Sequence, residues 1–126
     1  AFYQRLAGYM RQERMVVVDD HFWNSAECFD QISEHLKKQY FCRDYVVIFK
    51  GDANYRRLVL AKMWDPSTAF DQVIGSYFVS NAVTLRTMKS DCAIGIDAKI
   101  VQQVEKEDAH WRHNGKRGVI QCYIKP

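Results

Sequence analysis

Four cationic side chains lie in two short segments, each at the end of a run of apolar and β-branched residues. Lys50 and Arg56 belong to the first segment, and Arg86 and Lys89 belong to the second. Lysine and arginine side chains that converge with backbone N–H groups are the usual protein ligands of a phosphate group. The sequence therefore predicts a phosphate-binding crevice, provided that the two strands are neighbours in one sheet.

The first segment, Lys-Gly-Asp-Ala-Asn-Tyr-Arg-Arg-Leu at residues 50–58, also carries groups that suit the rest of a phosphorylated ligand. Gly51 permits a sharp turn after the strand, and Asp52 is expected to cap a helix over Ala53–Leu60. The Asp52 carboxylate is better suited to a sugar hydroxyl or a neighbouring cation than to a phosphate. Asn54 can donate a hydrogen bond to a phosphate or hydroxyl oxygen.

This segment resembles the Lys-Gly-Asp-Leu-Asn-Tyr-Arg-Lys-Leu signature of the damage-control phosphatase family. The similarity is to subfamily III, whose members are described as sugar-phosphate phosphatases and as acidic-residue methyltransferases. A second signature of that subfamily, Arg-Thr-x-Lys, is matched by Arg-Thr-Met-Lys at residues 86–89. The resemblance implies that residues 52–56 contact the phosphate and sugar of the substrate and that Lys89 reaches the same phosphate. With the two further cations, the predicted substrate-binding residues are Lys50, Asp52, Ala53, Asn54, Tyr55, Arg56, Arg86 and Lys89. Ala53 stands where the family has leucine and is expected to contribute backbone only.

The same resemblance implies a metal-dependent phosphomonoester hydrolase acting on small hexose phosphates, such as fructose 1-phosphate or fructose 6-phosphate. The family's ion, Mn2+, Co2+ or Ni2+, is held by an Asp-Asn dipeptide and a further Asp, all upstream of the Lys-Gly-Asp motif. This chain contains no Asp-Asn dipeptide. We therefore predict no catalytic or metal-binding residue on it. It is expected to be the C-terminal, substrate-binding part of a protein whose N-terminal part completes the site, and to be inactive alone.

Two other functions are compatible with the sequence. Subfamily III is also credited with methyl transfer from S-adenosylmethionine to acidic side chains, although no glycine-rich loop follows any strand here. The third reading is a non-catalytic α/β module that binds phosphate or serves only as a scaffold.

Two histidine-containing segments invite a metal-binding interpretation. Asp19-Asp20-His21 offers two carboxylates and an imidazole, but adjacent side chains rarely converge on one ion, so a solvated loop is the favoured interpretation. His110 and His113 have a spacing that fits one helix face, yet Asn114-Gly115 indicates a turn. His35 has no catalytic partner in the sequence and is expected to be an ordinary helix residue.

Strand and helix patterns alternate along the chain, and these elements must position the predicted substrate-binding residues. Apolar and β-branched runs predict strands at 15–18, 45–49, 81–86 and 118–124. Helical periodicity and capping signals, including a possible capping box of Asn24 and Glu27, predict helices at 1–14, 25–39, 53–60, 68–74 and 97–107. The polar segment 110–117 reads as a loop or tight turn. This order predicts one α/β domain over residues 1–126, or the C-terminal part of a larger one, with a layered, largely parallel sheet and helices on both faces.

Composition narrows the class of partner. The chain has 126 residues, 48% hydrophobic and 26% charged, and a net charge of +3. Its basic residues are spread along the sequence, so nucleic acid is not predicted as a partner, and no apolar run is long enough to predict a membrane span. The resemblance implies a small phosphorylated metabolite as the partner. Four scattered cysteines without a Cys-x-x-Cys pair indicate reduced thiols and an intracellular, cytoplasmic location.

Overall fold

A three-stranded sheet forms the centre of the computed structural model, which describes all 126 residues. Its strands are β1 (Val46–Lys50), β2 (Asn81–Thr87) and β3 (Gly118–Tyr123), in the order β1-β2-β3. β1 and β2 run parallel, and β2 and β3 run antiparallel. The predicted α/β class is confirmed, and the sheet is mixed rather than largely parallel.

Six α-helices and one short 3-10 helix connect and flank the strands. The 3-10 helix is Phe29–Gln31, and the α-helices are α1 (Phe2–Arg11), α2 (His21–Asn24), α3 (Glu34–Tyr40), α4 (Asp52–Leu58), α5 (Phe70–Ile74) and α6 (Ala98–Glu107). None of them combines the length and the apolar character that a membrane-crossing helix needs. All four cysteines are unpaired.

The main core lies on one face of the sheet. Phe49 of β1 and Tyr123 of β3 point into it and are almost fully buried, as are Tyr55 and Leu58 of α4. Phe29 lies edge-on to Phe49 with 4.8 Å between ring centroids. Period-two alternation along the strands places these apolar residues on the same face, and α4 covers them.

The opposite face of the sheet is apolar and exposed. Val46 and Ile48 of β1 are 62% and 64% exposed, and Ile120 of β3 is 78% exposed. Leu85 of β2 lies beside Ile120 in the sheet and is 38% exposed. Helices were predicted on both faces, but no helix of this chain covers this one.

Residues 15–18 do not form the predicted strand. Val16 and Val17 are 70% and 74% exposed, and no strand pairs with them. A β-branched run becomes a strand only where a neighbouring strand accepts its hydrogen bonds, and none lies beside this one.

The single helix predicted over residues 25–39 is interrupted. The Ser33 side chain accepts a hydrogen bond from Leu36 N and so begins α3 nine residues later than expected. The capping box of Asn24 and Glu27 does not form either, because Ser25 Oγ is the group that accepts from Glu27 N, at 3.2 Å.

Two further boundaries changed little. α5 begins at Phe70 rather than Thr68, because the Asp65 carboxylate accepts from Ser67 and closes a separate turn. α6 begins at Ala98, one residue later than predicted, with Asp97 as its N-cap, and residues 110–117 form turns and bends.

Candidate functional site

A cleft opens at the carboxyl ends of β1 and β2. The two strands are parallel, with Lys50 opposite Leu85, so their ends lie side by side and bring the two motifs together. The cleft has a volume of about 650 Å³ and is lined by Lys50, Gly51, Asp52, Leu85, Arg86, Thr87, Lys89, Gly118, Val119 and Ile120. Four of the eight predicted substrate-binding residues are among them.

Asp52 lies at the centre of the polar contacts of this cleft, and its side chain is only 14% exposed. Its Oδ1 accepts from Arg86 Nε at 2.8 Å, from Ser90 Oγ at 3.2 Å and from the backbone N–H of Lys89 at 3.4 Å. Its Oδ2 is 3.2 Å from Arg56 Nε. One carboxylate therefore connects both motifs.

Asp52 was predicted to cap the helix, and the structure assigns that position to Gly51 instead. Gly51 has φ +95°, a left-handed conformation that side chains other than glycine rarely adopt. No side chain caps the first turn, because the Asp52 carboxylate is turned towards Arg86. Asp52 is the first residue of α4, where its negative charge still favours the positive end of the helix.

The Arg86 guanidinium is fully buried and all its nitrogens have partners. Besides Asp52, it donates to the carbonyl oxygen of Cys92 and to both the carbonyl and hydroxyl oxygens of Ser90. Its Cζ lies 4.2 Å from the centroid of the Tyr55 ring. Each of the three nitrogens is bonded within the protein and the side chain is buried, so direct substrate contact, as predicted, would require this network to open.

The Tyr55 side chain is placed in the core and not in the cleft. It is 0% exposed, and its hydroxyl donates to Gln121 Oε1 at 2.9 Å. Burial raises the pKa of Tyr55 to about 12, although the nearby Arg86 charge acts in the opposite direction. The tyrosine of the motif therefore packs α4 against the sheet, and it does not face a ligand here.

The remaining predicted residues are accessible to solvent. Lys50 and Lys89 line the cleft. Arg56 lies outside the lining set but remains tied to it through Asp52, with 49% of its side chain exposed. Asn54 is exposed and donates to the Lys50 carbonyl at 3.1 Å, and Ala53 is exposed on α4.

The sequence reasoning missed two components of the cleft. Ser90 bonds to both Asp52 and Arg86, and its only sequence signal was a short hydroxyl side chain directly after Lys89. The β3 residues Gly118 to Ile120 line the cleft because β3 runs antiparallel to β2. That orientation has no local sequence signal.

The acidic and histidine side chains of the chain do not fit a metal site. No three His, Cys, Asp or Glu side chains are grouped so that they could hold an ion. Asp20 instead accepts from Phe22 N at 2.8 Å and caps α2, while His113 Nε2 lies 2.9 Å from Asp91 Oδ1.

Comparison with known proteins agrees with the two motifs. Residues 1–104 match the damage-control phosphatase ARMT1-like domain. Damage-control phosphatase ARMT1 of Danio rerio is 34% identical over 76 residues, which are 60% of this chain and 17% of that protein. The Xenopus laevis and Mus musculus proteins of the same name are 27% and 26% identical over 89% and 90% of this chain, and 26% of each relative is covered. The chain thus spans about a quarter of the length of these two relatives. It belongs to the damage-control phosphatase ARMT1-like domain family.

Proposed function

We propose that this chain is the substrate-binding part of a metal-dependent phosphatase that hydrolyses small sugar phosphates such as fructose 1-phosphate or fructose 6-phosphate. The observation that carries the proposal is the convergence of Lys50 and Lys89, one from each motif, in a cleft at the ends of two parallel strands. Membership of a phosphatase family supports the same chemistry.

The charges around the cleft suit a phosphate monoester. Lys50, Lys89 and the half-exposed Arg56 supply three cations, and the fourth, Arg86, is paired with the only carboxylate of the cleft lining. Lysine and arginine bind phosphate oxygens through charge-assisted hydrogen bonds. We infer that these three accessible cations bind the phosphate and that the sugar lies towards the open side of the cleft, near Ile120.

The divalent metal, Mn2+, Co2+ or Ni2+, is proposed to be held by an N-terminal part of the same protein, since the acidic residues of this chain do not form a site for it. When bound, such an ion supplies an activated nucleophile and neutralises charge on the phosphate. The residues of this chain would bind and orient the substrate, and the chain alone would release no phosphate. We also propose a cytoplasmic location, which four unpaired cysteines support.

The proposal is tested by measuring inorganic phosphate release from hexose phosphates by the full-length protein, with and without each metal. Lys89→Ala is expected to lower kcat/KM by at least about tenfold, equivalent to about 1.4 kcal/mol. Lys99→Ala is the matched control, because Lys99 is exposed on α6 and does not line the cleft. Absence of metal-stimulated release, or equal activity of the Lys89 variant and wild type, would refute it.

Calorimetry with S-adenosylmethionine separates this proposal from carboxyl methyl transfer. We expect no heat of binding from S-adenosylmethionine and a measurable heat from a hexose phosphate. The opposite pair of results would favour the methyltransferase. Phosphate binding by a full-length protein that hydrolyses nothing would favour a non-catalytic module.

A further inference from the structure

We propose that Asp52 is a positioning residue that holds the Arg56 guanidinium ready for the substrate phosphate, while the buried Arg86 holds Asp52. This inference rests on the function proposed above and assigns separate roles to the two arginines. Arg56 binds the anion, and Arg86 does not touch it.

The first step of the argument is electrostatic. A carboxylate in a cleft that binds an anion repels that anion, so Asp52 lowers phosphate affinity unless it has another effect. Arg86, fully buried behind it, neutralises this charge through a 2.8 Å contact. The pair of Asp52 and Arg86 therefore adds little net charge to the cleft. The remaining effect of Asp52 is on the position of its neighbouring groups.

The second step concerns which atoms of Arg56 are occupied. Asp52 and Arg56 are one helical turn apart on α4, and Asp52 Oδ2 lies 3.2 Å from the Arg56 Nε. No nitrogen of the Arg56 side chain makes a hydrogen bond in the structure, so the contact with Asp52 is an ion pair, and 49% of the Arg56 side chain is exposed. An ion pair on the Nε side draws the guanidinium towards Asp52 and leaves both terminal NH2 groups free to bind two phosphate oxygens.

The third step concerns Lys89. Its backbone N–H donates to Asp52 Oδ1 at 3.4 Å, and Ser90 Oγ donates to the same oxygen at 3.2 Å. Asp52 thereby fixes the backbone from which Lys89 reaches the cleft. One side chain sets the position of a cation from each motif.

Asp52→Asn tests this because the two possible effects have opposite signs. The amide oxygen of asparagine still accepts from Arg86, Ser90 and Lys89, whereas its uncharged NH2 group replaces the oxygen that faces Arg56 and cannot form the ion pair. Removing a negative charge alone would tighten phosphate binding. Loss of positioning would weaken it. We expect the Kd for inorganic phosphate, measured by titration calorimetry on this chain, to rise at least about threefold. A Kd equal to or below that of wild type would overturn the proposal.

A double-mutant cycle shows whether the effect passes through Arg56. Arg56→Ala is expected to weaken phosphate binding. In the Arg56→Ala background, Asp52→Asn should raise the Kd further only through its effect on the Lys89 backbone, and therefore by less than in the wild-type background. Full additivity of the two changes would contradict a role through Arg56. Arg57→Ala is unsuitable as a control because Arg57 donates to the carbonyls of Phe22, Trp23 and Glu27. Lys99→Ala again serves that purpose.

A second measurement does not depend on phosphate binding. The Arg56 side chain should have restricted motion in the wild-type chain, as measured by NMR relaxation of its Nε–H group, and should become more mobile in Asp52→Asn. Ser90→Ala, which removes one bond to Asp52 and no charge, should give a smaller change in the same direction, and it replaces Asp52→Asn if that variant does not fold. An Arg56 side chain that is equally mobile in wild type and in the variants would overturn the positioning role. Failure of the wild-type chain to bind phosphate would count against the proposed function alone.

Discussion

Arg86 shows how a residue that looks like a ligand can serve the architecture of a site. Its side chain is 0% exposed, and its partners are Asp52, Ser90 and the Cys92 carbonyl. A buried charge is tolerated only when it is paired and hydrogen-bonded, and Arg86 meets both conditions. The sequence identified the cations that belong together, because charge and motif spacing are local. It could not separate the buried cation from the accessible ones, because burial depends on how α4 packs on the sheet.

Because Arg86 is buried and paired, we predict that replacing it destabilises the fold far more than replacing Arg56. Arg86→Ala should lower the free energy of unfolding by about 3–5 kcal/mol, since it leaves Asp52 without its main partner and opens a cavity beside Tyr55. Arg56→Ala should cost less than about 1 kcal/mol, because its ion pair with Asp52 is half-exposed. Urea unfolding of both variants measures this. Equal costs would show that Arg86 is not buried as described.

Tyr55 predicts a loss of stability at alkaline pH. Burial raises its pKa to about 12 from an ordinary value of 10, so above pH 10 the unfolded chain loses the phenol proton before the folded chain does. Stability from this group is therefore complete below pH 10 and falls as the pH rises from 10 to 12, by about 2–3 kcal/mol at the upper end.

Tyr55→Phe isolates this effect, because phenylalanine keeps the packing against Phe70 but cannot ionise. The variant should be less stable than wild type at pH 8, having lost the bond to Gln121, and its stability should fall less steeply above pH 10. Thermal unfolding between pH 8 and 11 measures how steeply stability falls with pH in the variant and in wild type. Parallel slopes would mean that Tyr55 does not contribute to the alkaline transition.

Local sequence patterns predicted elements well where each element could be completed by a neighbour. The run at 81–86 became β2, and 118–124 became β3, each within one residue of its predicted end. Residues 15–18 are even richer in β-branched residues but have no partner strand, so they remain irregular. The antiparallel pairing of β3 was not predicted, because direction is set by the path of residues 88–117 between the strands. That path also placed Gly118 to Ile120 in the wall of the cleft.

We predict that removing α1 leaves the free energy of unfolding almost unchanged. No residue of Phe2–Arg11 is buried, and Phe2 and Tyr3 are about 80% exposed. Isolated helices of this length gain little from hydrogen bonding alone and depend on packing for stability. A chain lacking residues 1–14 should therefore unfold within about 0.5 kcal/mol of the 126-residue chain.

The control for that truncation is a second one that continues through Phe22. Phe22 is 5% exposed and packs edge-on against Phe29, while its backbone oxygen accepts from Arg57. Its removal should cost several kcal/mol, about 3–5 for the phenylalanine side chain alone. Chemical unfolding followed by circular dichroism compares the two. A large cost of the shorter truncation would show that α1 packs on the body of the chain.

At the scale of the whole molecule, one face of the sheet is covered by the core, and the other, the open face, is exposed. The covered face holds the aromatic core, and the open face exposes Val46, Ile48 and Ile120, of which Ile120 lines the cleft. Sheets with parallel pairing are usually covered on both faces. The chain spans about a quarter of the Xenopus laevis and Mus musculus relatives, so we propose that the N-terminal part of the same protein packs on this face and closes the cleft from that side.

Adjacent residues of β1 give a test of this difference between the two faces. Ile48→Thr replaces a side chain that is 64% exposed and should change the free energy of unfolding of the 126-residue chain by less than about 0.5 kcal/mol. Phe49→Ala, one residue further, removes a side chain that is 4% exposed and packs against Phe29 and Phe78, and it should cost about 3–5 kcal/mol. In the full-length protein the two variants should have more similar effects on the free energy of unfolding. A covered Ile48 is itself a core residue, and Ile48→Thr would then bury an unpaired hydroxyl group. Urea unfolding of both variants in both contexts measures the four values. If Ile48→Thr costs as little in the full-length protein as in the 126-residue chain, the open face is not where the rest of the protein packs.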